Sequence, residues 1–145
     1  MTYCTDVDLL TYRPNILSLG VDNWEDQREN AYAIINRTLE SRWYRGAAEE
    51  LSVDYLEVLF DPTLIQEGTL TRLECYKTLE LAYMYLKKDS QQSDGFDRLE
   101  EQFRKRYGEE LDLVLATGIT YDWDQSGSIT SDERYISTPR RQHRA

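Results

Sequence analysis

The stretch from Thr69 to Lys88 constrains this chain most. Leu70, Leu73, Tyr76, Leu79, Leu81, Ala82, Tyr83 and Leu86 recur at helical spacing and cover more than one face. A helix that is apolar nearly all round has to be surrounded, by its own chain or by a second subunit. The sequence therefore predicts a helical bundle, and three more helical segments are there to build it. Thr5-Asp6-Val7-Asp8 has the form of a capping box, and a short helix runs from Asp6 to Tyr12, stopped by Arg13-Pro14. Residues 14–22, with Gly20, read as a loop. A second helix begins at Asp22 or Asn23 and runs to Tyr44. Its apolar stripe is Ala31, Ile34, Ile35, Leu39 and Trp43, its solvated side Arg28, Glu29, Arg37, Glu40 and Arg42, and Gly46 is its stop. After a polar break at 89–95, a fourth helix runs from Asp94 to Tyr107 on Phe96, Leu99, Phe103 and Tyr107. It ends at Gly108 or continues to Val114.

Residues 47–68 fit no single period. Leu51, Val53 and Tyr55 alternate as in a strand, while Leu51, Tyr55 and Leu59 sit four apart as in a helix. They read as a loop with one short element, ended by Asp61-Pro62 and Gly68. From Thr117 to Ile129 the character changes again. Ile119, Tyr121 and Trp123 alternate with Thr120, Asp122 and Asp124, and Gln125-Ser126-Gly127 has turn composition. The predicted architecture is mainly α: a small bundle of about four helices with an extended C-terminal β-hairpin or arm. Residues 1–117 are its helical body and 118–145 its arm.

Twelve residues inside that arm also fit a calcium loop. Asp122 to Glu133 reads D-W-D-Q-S-G-S-I-T-S-D-E, with acids at the first and third positions, glycine at the sixth and glutamate at the twelfth. Its ligands would be Asp122, Asp124, Ser126, the carbonyl of Ser128, and Glu133. The flanks contradict an EF-hand. The entering run Gly118-Ile119-Thr120-Tyr121 favours an extended backbone, and Thr138-Pro139 leaves too little room for an exit helix. Two readings stand: a calcium loop in an unusual frame, or a hairpin turn whose acids face water and whose Gly127 takes a positive φ.

Charge narrows the choice of partners. The chain carries a net charge of −10 over 145 residues, which argues against nucleic acid as its main partner. The charge is unevenly placed: all 27 acids lie at or before Glu133, with 13 of the 17 basic residues, while Arg134, Arg140, Arg141 and Arg144 stand beyond it. An acidic body with a basic end can associate head to tail, or dock that end on an acidic neighbour. It can also be a solvated end with no role in binding. Eleven tyrosines and three tryptophans suit surfaces that become buried against partners, although small cores use them too.

Catalysis finds little footing. The one histidine, His143, is third from the end, where a general base would lack an orienting partner. No nucleophile elbow, phosphate loop, dinucleotide glycine pattern or zinc signature is present. Glu49/Glu50, Glu100/Glu101 and Glu109/Glu110 read as solvated helix faces or caps. Cys4 and Cys75 have no metal or redox spacing and read as buried free thiols of a reducing compartment. Residues 1–12 lack the features of a signal peptide, and no run of about 18 apolar residues is present, so no membrane partner is expected.

The layout has a likeness. A capped TDVDLL helix, a long helix with NAYAIINRTLESRWY, the ECYKTLELAYMYL helix, a fourth helix, and an extended strand with a D-x-D-x-S-G-x-I turn and an Arg-rich end resemble the head–tail connector (adaptor) proteins of tailed bacteriophages. The resemblance covers most of the chain as a pattern of elements. It implies a small helical virion protein of the neck, made in the host cytoplasm. Such proteins assemble beneath the portal as a ring of about twelve copies. The partners implied are the portal protein, further copies of the chain and other tail or neck proteins, with DNA only passing through the channel. Carried onto this sequence, 118–145 would be the docking arm. Tyr121, Trp123, Arg134, Tyr135, Arg140, Arg141 and Arg144 would meet the portal or a neighbour, and the acidic body would line a channel to which DNA does not adhere.

Overall fold

Thr5 begins the first helix as the sequence predicts. In the computed structural model, which describes residues 1–88 and 93–127, its hydroxyl accepts the Asp8 N–H at 3.3 Å. The Asp8 carboxylate accepts the Thr5 N–H at 2.8 Å in return, completing the capping box. The helix α1 (Asp6–Leu9) is shorter than predicted, because Leu10, Thr11 and Tyr12 donate to carbonyls three residues back rather than four. The last turn tightens in this way ahead of Arg13-Pro14, where the α conformation is disfavoured.

The remaining α-helices are α2 (Glu25–Leu39), α3 (Arg45–Glu50), α4 (Thr71–Lys88) and α5 (Ser93–Thr117), with short 3-10 turns at Ile16–Ser18 and Pro62–Leu64. The molecule is thus mainly helical. Asn23 opens α2 by accepting the Glu25 N–H on its side chain at 3.0 Å, and Glu25 and Asp26 place negative charge at the positive helix end. The predicted stop at Gly46 is passed. A π-helical turn, Glu40–Tyr44, joins α2 to α3, and the chain stays helical to Glu50. The wide turn resets the helical register, and the consecutive Trp43 and Tyr44 are both buried there. Burial of Ala47 and Ala48 then holds a helix that one glycine alone would not end. Likewise α5 runs through Gly108, past both of the predicted limits. Among the described residues no helix is long and apolar enough to cross a membrane.

The chain forms two compact units. The first comprises Met1–Ile34 and Leu70–Leu111, the second Ile35–Thr69 and the described residues from Asp112 on. In the first, α4 is surrounded as its sequence demands. Cys4, Leu9, Ile16, Trp24, Cys75, Leu79, Tyr83 and Phe103 share one buried cluster, and the Trp24 indole N–H donates to the Ile16 carbonyl at 2.9 Å. Cys4 and Cys75, 71 positions apart in sequence, are both free thiols of this cluster. The Cys4 thiol is pushed up, first by its hydrogen bond with the Cys75 side chain and then by burial.

Among the described residues three acids are buried in this unit, one of which, Glu100, the sequence assigns to solvent. Glu100 is buried, not solvated. It accepts from Arg104 at 2.7 Å, and Arg104 also reaches the buried Glu80 at 3.3 Å. Lys77 completes the Glu80 pair at 3.0 Å. Charges leave water only with partners, and these have them.

Glu74 is the most enclosed, 0% exposed, with its carboxylate accepting the N–H of Tyr3 at 3.0 Å and of Cys4 at 2.9 Å. Loss of solvation raises its pKa, and the backbone donors offset this only in part. A raised acid pKa means that the folded chain keeps a proton the unfolded chain releases. The stabilisation is therefore complete below the ordinary carboxylate range and is lost as pH rises through the raised value. We expect melting temperature to fall with pH across that window and then level off. Glu74→Gln should flatten the fall, leaving the contribution of Glu110, whose pKa is also raised by burial. Thermal melts of both proteins from pH 4 upward check this, and an unchanged slope in the variant would contradict it.

Candidate functional site

The second unit is built around five aromatic rings, and the residues entering the predicted arm are part of it. Gly118 closes α5 in the left-handed conformation, φ 101°, with its N–H on the Val114 carbonyl at 2.9 Å. Beyond it the chain is extended and pairs with a distant segment. The Gln66 N–H donates to the Thr120 carbonyl at 3.0 Å, the Asp122 N–H to the Leu64 carbonyl at 2.9 Å, and Ile65 and Tyr121 form an antiparallel bridge. Of the alternation predicted for 119–123, residues 119–122 are extended, while Trp123 already belongs to the turn that follows, its N–H on the Tyr121 carbonyl at 3.0 Å. Both faces of 119–122 are covered: Ile119 and Tyr121 are buried, and so are Thr120 and Asp122.

Tyr121 and Trp123 lie 4.7 Å apart and meet Trp43 at 5.6 and 5.7 Å. Tyr44 stacks on Trp123 at 5.3 Å and 9°, and Phe60 on Tyr121 at 6.0 Å and 17°. These separations fall within the range in which ring pairs add to the free energy of area burial. Tyr121 is thus a core residue of its own chain, placed there by the turn at Gly118 and the pairing with 64–66. Burial pushes its hydroxyl up to about 12, and that hydroxyl accepts the Asp61 N–H at 3.0 Å.

The cluster also fastens the segment that the sequence reads as a loop with one short element, which in the structure is a 3-10 turn at Pro62–Leu64. Residues 51–61 fit both a strand and a helical spacing and form neither element, yet they are held at both ends. The Val53 N–H donates to the Ala48 carbonyl at 2.8 Å, and the Tyr44 hydroxyl donates to the Val58 carbonyl. Asp61 is tied to Tyr121 as described. The loop exposes three apolar side chains, Leu56, Val58 and Leu59, beside the acids Asp54 and Glu57. The only sequence signal for this was an apolar run, L-E-V-L-F, in a segment with no buried face to account for it.

Asp122 and Asp124 form a tight turn with their own backbone. Asp122 accepts the N–H of Ser126 at 3.2 Å and of Gly127 at 2.8 Å, and Asp124 accepts the Ser126 N–H at 3.0 Å. Gln125 and Gly127 take the positive φ values, 56° and 87°, that such a turn needs. Hydrogen bonds, first from the Ser126 side chain and then from its backbone, hold the Asp124 carboxyl below its ordinary range. Of the five candidate calcium ligands, Asp122, Asp124 and Ser126 are brought together here; Ser128 and Glu133 lie outside the described residues, as do Arg134, Tyr135, Arg140, Arg141 and Arg144. The second half of the predicted hairpin lies there too. Among the described residues, no group of three or more His, Cys, Asp or Glu side chains is arranged to hold a metal ion.

No protein family, curated protein or solved structure matches the chain.

Proposed function

We propose that this chain is a structural assembly protein, in its most specific form a head–tail connector (adaptor) of a tailed bacteriophage. In this reading it forms a ring beneath the portal, extends the DNA channel toward the tail, and docks through its C-terminal hairpin or arm. The carrying observation is the anchoring of residues 118–123 in the aromatic cluster. An arm is useful for docking only if its root is fixed, since a fixed root lowers the entropy lost when the arm engages. The working part of the arm is then residues 128–145, and 118–127 is its base. Four arginines and no acid stand beyond Glu133, as a contact with an acidic portal or neighbour requires.

Replacing Arg134, Arg140, Arg141 and Arg144 together by Ser tests this. The variant should keep the circular dichroism spectrum and melting temperature of the parent, and lose co-migration with a purified portal ring. Retention of the complex would overturn the docking role.

A further inference from the structure

Leu56, Val58 and Leu59 are 77%, 40% and 70% exposed, three apolar side chains within four positions. Clustered apolar exposure of this kind marks an interaction site. The loop that carries them is shaped in advance. The Asp54 carbonyl accepts the N–H of Glu57 at 3.1 Å and of Val58 at 2.8 Å, and its carboxylate accepts the Leu56 N–H at 3.0 Å. With Val58 fastened to Tyr44 and Asp61 to Tyr121, the loop has little conformational freedom left to lose on binding.

Charge says what would cover it. Between Gly46 and Thr69 stand Glu49, Glu50, Asp54, Glu57, Asp61 and Glu67, without one Lys or Arg. An occupant should bring apolar groups flanked by positive charge. The chain contains such a segment: R-Y-I-S-T-P-R-R-Q-H-R, residues 134–144, with four arginines, Tyr135, Ile136 and no acid. The body up to Glu133 is strongly acidic, so two bodies repel unless opposite charge bridges them, and this segment provides it.

We propose that the loop Asp54–Phe60 is the receiving surface for residues 134–144 of a second copy of the chain. This rests on the assembly reading above and names the surface that the reading leaves open. Such a contact is head to tail. It leaves one free loop and one free tail on every growing assembly until a ring closes.

The test places a photo-crosslinking amino acid at position 59 of the full chain, in a mixture of isotopically light and heavy copies. Irradiation should join position 59 to a peptide from 134–144 of the opposite label. A second measurement follows self-association of the variant L56S/L59S, which alters exposed side chains only. It should weaken by about tenfold or more with the melting temperature unchanged. R140E/R141E should weaken association similarly, and adding E57K should restore part of it. Crosslinks confined to one label, crosslinks to another segment, or unchanged association of L56S/L59S would each overturn the proposal. A chain that stays monomeric at every concentration overturns it too. Portal binding through the four arginines would survive that last result, so the two readings fail separately.

Discussion

A chain ending at Thr117 should lose the cooperative melting of the second unit, and one ending at Gly127 should keep it. The first truncation removes Ile119 and Tyr121, 0% and 2% exposed, with the hydrogen bonds that 120 and 122 make to 64–66. Transfer free energy alone is about 1.5–3 kcal/mol for each large apolar side chain, before the cavity left behind is counted. A domain of this size is stable by about 5–15 kcal/mol, so the loss is a large share of the whole. Phe60, Trp43 and Tyr44 would face water, and the loop of residues 51–61 would lose its Tyr121 anchor. The second truncation spares all of this and keeps the turn that Asp122 caps. Circular dichroism, tryptophan fluorescence and limited proteolysis of the two chains distinguish the outcomes. Equal melting curves would mean that 118–123 is not a core segment.

Trp43→Ala should be the most damaging single substitution in the second unit. Trp43 is fully buried and touches Tyr44, Phe60, Tyr121 and Trp123. Truncating a buried tryptophan costs about 3–5 kcal/mol. For a chain of this length the melting temperature should fall by roughly 10–15 °C. Trp43→Phe, which keeps a ring in the cluster, should fall by less. Val7→Ala, at an exposed position, should stay within about 0.5 kcal/mol of the parent. A fall of only a few degrees for Trp43→Ala would remove the cluster as the organising element.

What the sequence discloses follows the range over which each interaction acts. The capping box at Thr5, the surrounded helix α4 and the Phe96-to-Tyr107 period of α5 are local patterns, and they were legible. The passage of helix through Gly46 was not, because glycine permits a stop without requiring one, and burial of Ala47 and Ala48 decides otherwise. Glu100 reads as solvent-facing, although its partner Arg104 stands one turn away, because nothing local says that the face they share is covered. The burial of Glu74 has no local signal either, since its donors are the backbone N–H groups of Tyr3 and Cys4. The period-2 alternation of 119–123 reads as one strand of a hairpin arm with two unlike faces, whereas residues 119–122 are buried on both faces and pair with 64–66. Its pairing with 64–66 depends on residues more than fifty positions away, which no local pattern encodes. The exposed apolar loop around Leu56 was missed for the opposite reason: it breaks the rule that apolar side chains are buried, and patterns built on burial do not describe it.

The most direct test of the assembly account is the mass of the full chain by light scattering after size exclusion, alone and with portal, each with calcium and with a chelator. The account predicts a discrete multi-copy species, alone or on the portal, with the same mass in both buffers. A monomer or dimer that ignores the portal, and whose shape and melting temperature respond to calcium, would contradict it and favour a calcium-binding protein using the loop from Asp122 to Glu133.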